Sequence, residues 1–315
     1  MKTIETQNQN LEIIAGPCSI DLNNFQEVFD IANIATKDGP AVFGTRVVGL
    51  KSRTAFDPSG KGMGIDWESL DTLMKNPQAD VVSPSVRMAE EIVRETNMRV
   101  ATEIMLPGIQ LPQFVGRIPE GKLLAWNPSV NQLGWQVLES SRIAAENGWS
   151  IGLKNGKALG TTLEEANSTE GKSTPMETTW EGLASFAQGV SEIVFIHRGV
   201  DVPEKGDHRN APVHEAARRV KQRNPQAKMY FDPSHIFGPK MRDTIVDHTL
   251  RAMHIKNEDG FLYDGILLEA GTSTTDTKQH ITIPELQGLV VDLSKFRHLR
   301  GPTPKGIIFQ GATLP

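Results

Sequence analysis

Short apolar runs alternate with amphipathic stretches along nearly the whole chain. Runs that are rich in β-branched residues and bounded by glycine, proline or polar residues are typical of buried strands. Eight such runs occur, at residues 13–15, 42–47, 100–104, 123–126, 151–154, 193–196, 229–231 and 266–268. Amphipathic helical stretches lie between them, at residues 24–35, 86–96, 130–147, 180–189, 212–222, 239–253 and 284–293. This regular alternation predicts parallel βα units.

Eight alternations in a chain of 315 residues predict an α/β protein closed into a single (β/α)₈ barrel. A doubly wound open sheet usually has fewer strands, and no GxGxxG motif follows the first apolar run, which disfavours a dinucleotide-binding fold. The first strand begins near residue 12 and little chain follows the last helix. We therefore expect one catalytic domain over residues 1–315, without a separate regulatory domain.

Two segments that are rich in Gly, Ser, Thr and Pro, residues 51–66 and 159–178, predict long loops. Both follow strands, so in a barrel they would lie on the catalytic face. There they could cover a ligand, or they could simply be mobile.

The charge balance narrows the class of partner. The net charge of -5 gives no general electrostatic attraction to nucleic acid or to an anionic membrane. The first residues lack the basic and apolar regions of a secretion signal, and no apolar run reaches the roughly 18 residues that span a bilayer. We expect a cytoplasmic protein whose partners are small molecules.

Polar residues collect where the predicted strands end. In a (β/α)₈ barrel the active site is built at the carboxyl ends of the strands, so these residues are predicted to converge. They are Cys18, Arg46, Lys51, Arg53, Glu103, Lys154, Arg198, Asp232, His235 and Glu269.

A metal site is one interpretation of this convergence. Cys18 is the only cysteine, so it cannot form an internal disulfide and is a buried small hydrophobe, a nucleophile or a metal ligand. Together with His235 and Glu269 it would form a mixed sulfur, nitrogen and oxygen set that suits Mn, Fe, Co or Zn, with Asp276 as a fourth ligand. The alternative is structural, with a hydrogen-bonded buried histidine and an aspartate in a turn.

An anion site is the second interpretation. Five cationic side chains would meet at one mouth and repel each other unless anions neutralise them, so two phosphates and a carboxylate are suitable occupants. The alternative is that salt bridges to Asp232 and Glu103 neutralise them. The five are Arg46, Lys51, Arg53, Lys154 and Arg198.

The segments AGPCS, KSRT, GLKNG, RG and DPSH, in this order between residues 11 and 290, resemble class I 3-deoxy-arabino-heptulosonate-7-phosphate (DAHP) synthases and the related Kdo8P synthases. KSRT and GLKNG are closer to the DAHP branch. The resemblance implies a barrel enzyme of the shikimate pathway, which leads to the aromatic amino acids. In its reaction, C3 of phosphoenolpyruvate attacks the aldehyde of erythrose 4-phosphate, water adds at C2, and phosphate leaves.

The resemblance also implies roles for individual residues. A divalent metal ion would be held by Cys18, His235, Glu269 and Asp276. Phosphoenolpyruvate would be bound by Arg46, Lys154 and Arg198, and the aldose phosphate by Lys51, Arg53 and Thr54. Lys154 would act as a proton donor, and Glu103 and His235 would also be catalytic residues. Asp232 would help to bind substrate. A homo-oligomer is expected.

Three departures from the family pattern stand out. Ser52 replaces a proline, which should loosen its loop. Trp126 stands where the family has an arginine that helps to bind phosphoenolpyruvate, and tryptophan cannot replace a bidentate cation. Another cationic residue such as Lys157 could supply the missing charge. Alternatively, the protein could use a different donor or acceptor substrate, or the activity could be lost. In the segment GDHRNAPVHE, His208 and Arg209 could contact a different acceptor, although we expect a solvated loop.

Overall fold

The computed structural model describes residues 9–52, 64–258 and 260–302. Its centre is a closed barrel of eight parallel strands, which confirms the predicted (β/α)₈ fold. The strands are β1 (Asn10–Gly16), β2 (Gly44–Arg46), β3 (Arg99–Glu103), β4 (Leu123–Trp126), β5 (Ser150–Lys154), β6 (Ile193–His197), β7 (Lys228–Phe231) and β8 (Gly265–Glu269). Two predicted site residues, Arg53 and Thr54, lie outside the described residues.

Each strand pairs in parallel with the next one along the chain, and β8 pairs with β1 to close the barrel. At the closure Ile13 lies opposite Ile266, and Gly16 lies opposite Glu269. A short ninth strand, β9 (His298–Arg300), adds to the beginning of β1. The first and last barrel strands are therefore neighbours although more than 200 residues separate them in the sequence.

Helices surround the barrel and connect its strands. The α-helices are α1 (Phe25–Ala32), α2 (Trp67–Lys75), α3 (Pro84–Thr96), α4 (Pro107–Gln110), α5 (Gly134–Glu146), α6 (Leu163–Asn167), α7 (Pro175–Phe186), α8 (His214–Arg223), α9 (Pro233–Phe237), α10 (Ile245–Met253) and α11 (Ile283–Leu293). The 3₁₀ turns are Leu111–Phe114, Pro203–Lys205, Pro239–Thr244 and Thr277–Gln279, and the small hairpins pair Ala35–Thr36 with Gly39–Pro40 and Lys256–Asn257 with Gly260–Phe261. Within the described ranges, no helix has both the length and the apolar content needed to cross a bilayer.

The prediction of a long loop over residues 159–178 was wrong in part. Helix α6 forms inside this segment, and α7 begins at Pro175 rather than at residue 180. Both helices begin with a capping box, in which Thr162 and Thr174 exchange hydrogen bonds with the glutamate three residues later. These side chains satisfy the free N–H groups of the first helical turn and so start each helix early.

Other helix boundaries also differ from the pattern. Helix α5 starts at Gly134 rather than at residue 130, and the predicted helix over 239–253 divides into a 3₁₀ turn and α10. Helices α2, α4 and α9 were not predicted. Short helices such as α4 and α9 bury too few apolar positions to produce a clear periodicity.

The strands place alternate side chains inside the barrel. An apolar layer of Ile14, Ala101, Leu124, Val194 and Leu267 fills the interior, and the neighbouring side chains pack against the helices. Because the side-chain period in a strand is two residues, the positions two residues after this layer face inward at the carboxyl end. The candidate site residues emerge from the barrel at this level.

At the amino-terminal end of the barrel, the buried carboxylate of Glu12 makes several ionic contacts. Glu12 in β1 accepts hydrogen bonds at 2.8 Å from Lys228 Nζ and from Arg300 Nη1, and it also accepts one from the Tyr230 hydroxyl. A buried carboxylate is stable only when it is paired and hydrogen-bonded in this way. The contacts join β1, β7 and β9, so they brace the side of the barrel where the chain closes on itself.

Glu192, the residue before β6, belongs to the same amino-terminal network. Its Oε1 accepts from Arg99 Nη1 at 2.7 Å, and its carboxylate also pairs with Lys228. Burial by itself would raise the pKa of Glu192, but Arg99 and Lys228 outweigh that effect and lower the pKa to about 2. The ionised form is therefore favoured in the folded protein.

We predict that Glu192→Gln destabilises the protein in a pH-dependent way. The pKa of Glu192 is lower in the folded state, so its stabilising contribution is present above the ordinary value of 4.5 and is lost as the pH falls toward 2. The contribution at neutral pH is about 3 kcal/mol at most, from the size of this shift. Urea unfolding of wild type and variant at pH 7 and pH 3 measures it.

The stability difference should be largest at pH 7 and should narrow markedly at pH 3. A matched control is Glu90→Gln, which removes an exposed ion pair with Arg117 and should change stability far less. A difference of equal size at both pH values would contradict the assignment of the ionised state.

Candidate metal and anion site

The last residues of five barrel strands point into the carboxyl-terminal mouth. They end β2, β3, β4, β5 and β8, and each is at most 7% exposed. Four of them are ionisable, and the fifth is a tryptophan. The set is Arg46, Glu103, Trp126, Lys154 and Glu269.

Cys18, Glu269 and Asp276 form a group that could hold a metal ion. Their Sγ and carboxylate oxygen atoms all lie within 4.8 Å of one another. Cys18 follows β1, Glu269 ends β8 and Asp276 lies in the next loop, so the pairing of β1 with β8 creates the group. One thiolate and two carboxylates suit a borderline divalent cation, and these residues therefore fit the predicted metal.

The structure places His235 beside this group and not within it. The imidazole Nε2 lies 3.7 Å from Glu269 Oε1, and Nδ1 lies 2.9 Å from Asp232 Oδ1. Burial, which outweighs the attraction of Asp232 and Glu269, lowers the pKa of His235 to about 4, so the ring is neutral. Its Nδ1–H donates to Asp232, which leaves an Nε2 lone pair facing Glu269, as in histidines that bind metals.

Lys51 occupies the other side of Cys18. Its Nζ lies 3.0 Å from Cys18 Sγ and 3.3 Å from the Cys18 carbonyl oxygen. Burial and then Glu269 raise the pKa of Cys18 to about 11, although Lys51 and Arg46 act in the opposite direction. The thiol is therefore protonated at neutral pH until a cation in contact with sulfur favours the thiolate.

Two of the predicted anion-binding cations are paired with barrel carboxylates. Arg46 Nη2 lies 3.0 Å from Glu269 Oε1, and Lys154 Nζ lies 3.2 Å from Asp232 Oδ2. The alternative of salt bridges to barrel carboxylates therefore holds in part, because Asp232 pairs with Lys154, whereas Glu269 rather than Glu103 pairs with Arg46.

Some hydrogen-bonding capacity at the mouth is still unused. Among the described residues, Arg46 Nη1, Arg198 Nε and Glu103 Oε1 are buried and have no hydrogen-bond partner. Arg198 is held through its backbone N–H, which donates to Asn155 Oδ1 at 2.7 Å. Buried donors without partners are costly unless a ligand completes them, so the two arginines offer N–H groups to an anion.

Trp126 is a buried part of the floor of the mouth. It is 1% exposed, and its ring centre lies 5.0 Å from Lys154 Nζ and 5.5 Å from Arg46 Cζ. Its Nε1 donates to Glu103 Oε2 at 3.4 Å. Lys157, considered above as a replacement base, is exposed. The indole thus lies within cation–π distance of both Arg46 and Lys154.

Arg209, for which a solvated loop was expected, is half-buried and makes specific contacts, although residues 203, 204, 206 and 207 of its loop are exposed. Its Nη1 donates to Gln279 Oε1 at 2.5 Å and lies 3.3 Å from Asp276 Oδ2. His208 packs instead on the Phe237 ring, with centroids 5.6 Å apart. Sequence reasoning missed Gln279 and the contact of Arg209, because this contact joins two loops that are 70 residues apart.

His280 is another residue that sequence reasoning missed. The backbone N–H of Cys18 donates to His280 Nε2 at 3.0 Å, and His280 Nδ1 lies 3.1 Å from the Asp276 carbonyl oxygen. A neutral imidazole with its proton on Nδ1 satisfies both contacts. His280 therefore ties the Cys18 turn to the loop that carries Asp276. The only sequence signal for it was its position four residues after Asp276.

We predict that Trp126→Arg destabilises the barrel by roughly 3 kcal/mol or more, because it buries a third cation between Arg46 and Lys154. Trp126→Phe keeps an aromatic ring and loses the hydrogen bond to Glu103, with a smaller loss of about 1 to 2 kcal/mol. Thermal unfolding of both variants measures these effects. A Trp126→Arg protein as stable as wild type would show that the floor accepts a further cation.

Comparisons of the chain with protein-family models and with curated proteins returned no match. The geometry of the mouth and the short motifs at the strand ends are therefore the basis for a functional assignment.

Proposed function

We propose that this protein catalyses a metal-dependent condensation of phosphoenolpyruvate with an aldose phosphate, erythrose 4-phosphate, to give DAHP and phosphate. One observation carries the proposal. A buried thiol and two carboxylates lie within 4.8 Å of one another, and one of these carboxylates, Glu269, lies 3.0 Å from Nη2 of the buried Arg46, whose Nη1 has no partner. A site for a borderline cation beside a site for anions is what this reaction requires.

The charge at the mouth favours an anionic substrate. Four buried or half-buried cations lie close to three buried carboxylates among the described residues. Asp276 is a fourth carboxylate at the site and balances the fourth cation, so a bound divalent cation would leave a positive excess even after Cys18 loses its proton. Phosphoenolpyruvate carries a carboxylate and a phosphate, and both accept hydrogen bonds from arginine. The cations are Arg46, Lys51, Lys154 and Arg198, and the carboxylates are Glu103, Asp232 and Glu269.

Lys154 and Glu103 are the groups best suited to proton transfer. Burial lowers the pKa of Lys154 more than Asp232 raises it, which makes its ammonium a better acid for the aldehyde oxygen as the C–C bond forms. Burial alone would raise the pKa of Glu103, but Lys51 and Lys154 outweigh it and lower the pKa. Glu103 is thus ionised, and its Oε1 could accept a proton from the water that adds at C2.

The metal ligands in this proposal are Cys18, Glu269 and Asp276, with His235 adjacent. A divalent ion bound there supplies Lewis-acid chemistry, which polarises the aldehyde or orients water. The roles of Lys51, Arg53 and Thr54 in binding the aldose phosphate rest on the resemblance alone. A homo-oligomer in the cytoplasm, with two small-molecule substrates, completes the proposal.

Trp126 favours a second candidate function. The missing arginine removes one contact to phosphoenolpyruvate, and a charge-assisted hydrogen bond contributes about 1.5 to 3 kcal/mol. A related synthase of the Kdo8P type, with a different acceptor sugar, or a barrel that binds ligand without catalysis would also fit such a floor. Turnover with a panel of acceptors separates these candidates.

We predict that the protein releases phosphate from phosphoenolpyruvate when an aldose phosphate and a divalent metal are present, and that a chelator stops the release. Lys154→Met should lower kcat by roughly 100- to 10,000-fold, because it removes the proton donor. Lys157→Met is the matched control, since this exposed lysine lies three residues further along the chain. Folded protein that releases no phosphate with any aldose phosphate or metal would contradict the synthase assignment.

We also predict that Cys18→Ser binds Zn²⁺ or Mn²⁺ much more weakly while its fold stays intact. The loss of the sulfur ligand should exceed the roughly 10- to 100-fold that losing an outer hydrogen-bond partner of a metal ligand costs. Metal content after dialysis and circular dichroism provide the two readouts. A variant that keeps near-normal turnover in chelator would show that the reaction does not use a metal.

A further inference from the structure

Two polar side chains lie behind the candidate metal ligands and connect them to each other. Gln279 lies in the 3₁₀ turn that follows β8, and Arg209 lies in the loop between β6 and α8. We infer that Gln279 and Arg209 are positioning residues that hold the carboxylates of Glu269 and Asp276 in the orientation needed to bind a divalent cation. This inference rests on the proposed metal site and assigns two residues to it that the family resemblance does not.

Gln279 is held at both ends of its amide. It is 1% exposed, its Nε2 donates to Glu269 Oε2 at 2.5 Å, and its Oε1 accepts from Arg209 Nη1 at 2.5 Å. A guanidinium group only donates hydrogen bonds, so the amide atom that faces Arg209 must be the oxygen. Arg209 therefore turns the NH₂ group of Gln279 toward Glu269.

Glu269 is fixed from two sides as a result. Arg46 Nη2 binds Oε1 at 3.0 Å and Gln279 Nε2 binds Oε2, while the backbone N–H of Glu269 donates to Ser234 Oγ at 2.9 Å. Each carboxylate oxygen has two lone pairs, so each keeps one for a cation. Without Gln279 the carboxylate could rotate about its bond and pair more closely with Arg46.

Arg209 acts on the second carboxylate directly. Its Nη1 lies 3.3 Å from Asp276 Oδ2, an oxygen that is also 3.5 Å from Cys18 Sγ. The same guanidinium thus contacts one candidate ligand and, through Gln279, orients another. Asp276 has a φ of 51°, a left-handed backbone that aspartate tolerates better than most non-glycine residues, and the Arg209 contact orients its side chain.

The loop of Arg209 is attached to the helix that carries His235. The backbone N–H of Asn210 donates to the Ile236 carbonyl at 3.1 Å, and the Asn210 side chain donates to the His235 carbonyl at 2.6 Å. The backbone of Arg209 is therefore held in place next to α9. Its guanidinium lines a solvent-accessible cavity of about 350 Å³ together with Asp276 and Lys278.

A positioning role of Gln279 can be distinguished from a purely structural one by comparing its effects on metal binding and on stability. If Gln279 is lost, water from the cavity can solvate Arg209, but the buried Glu269 Oε2 loses its hydrogen-bond donor, so the unfolding midpoint should fall while the protein stays folded at the assay temperature. The orientation of Glu269 has no such substitute. Loss of an outer partner of a metal ligand typically weakens metal binding by roughly 10- to 100-fold.

The test compares full-length wild type with Gln279→Met, Arg209→Lys and the control Lys278→Met. Methionine keeps the approximate volume of glutamine without its hydrogen bonds, and lysine keeps the charge of Arg209 without its fork. Lys278 is exposed and lies in the same loop. Affinity for Zn²⁺ is measured by competition with a chromophoric chelator, and the Co²⁺ absorption spectrum reports ligand geometry independently of any turnover.

We expect Gln279→Met to bind Zn²⁺ roughly 10- to 100-fold more weakly than wild type and to shift the Co²⁺ bands. Arg209→Lys should change both readouts in the same direction, and Lys278→Met should change neither. Thermal unfolding of the metal-free proteins should show that all four are folded at the assay temperature, so the affinities and spectra compare native proteins.

The outcomes distinguish this inference from the proposed function. If wild type binds Zn²⁺ and Gln279→Met binds it equally well with an unchanged Co²⁺ spectrum, the positioning role is wrong and the metal site stands. If wild type binds neither ion, the metal-dependent function and this inference both fail. Should Gln279→Met not fold, folded Arg209→Lys decides, since wild-type affinity and spectrum in that variant would overturn the inference.

Discussion

The alternation of side chains along the barrel strands is the constraint on which the rest of the molecule depends. An inward apolar residue such as Ala101, Leu124 or Leu267 places the residue two positions later inside the barrel as well, at its carboxyl end. A slip of one residue would move that group among the helices and would bury its charge in an apolar layer. The hydrophobic core therefore sets the register that holds the charged mouth together.

The same barrel contains two ionic clusters of different character. At the amino end, Glu12 and Glu192 are each bound by more than one cation, and this arrangement braces the strands. At the carboxyl end, Arg46 and Lys154 have carboxylate partners, yet some buried donors among the described residues are left over. Arg99 Nε at the amino end also has no partner, but the carboxylates there are each shared by two cations, which favours a rigid fold, whereas unused donors in a concave mouth favour a ligand.

The sequence predicted the barrel because each buried strand is a short apolar run, which can be recognised without knowing which strands lie beside it. Helix starts were less predictable, and α7 was misplaced although Thr174 and Glu177 carry a capping-box signal. At the site, Cys18 and Glu269 lie together as predicted, and the group is completed by the loop residue Asp276, predicted as the fourth ligand, rather than by His235. The pattern could not show that His235 turns to Asp232, or that Arg209 reaches Gln279, because side-chain rotamers and contacts between loops are not encoded in local periodicity.

The pairing of β1 with β8 has a consequence for how the protein is made. Cys18 leaves the ribosome with the first strand, whereas Glu269 and Asp276 are synthesised only after the last one. A nascent chain therefore carries an isolated thiol through most of its synthesis, and no fragment that lacks β8 contains the three-residue group. Formation of this group coincides with closure of the barrel, so the capacity to bind a cation there would mark a chain whose barrel has closed.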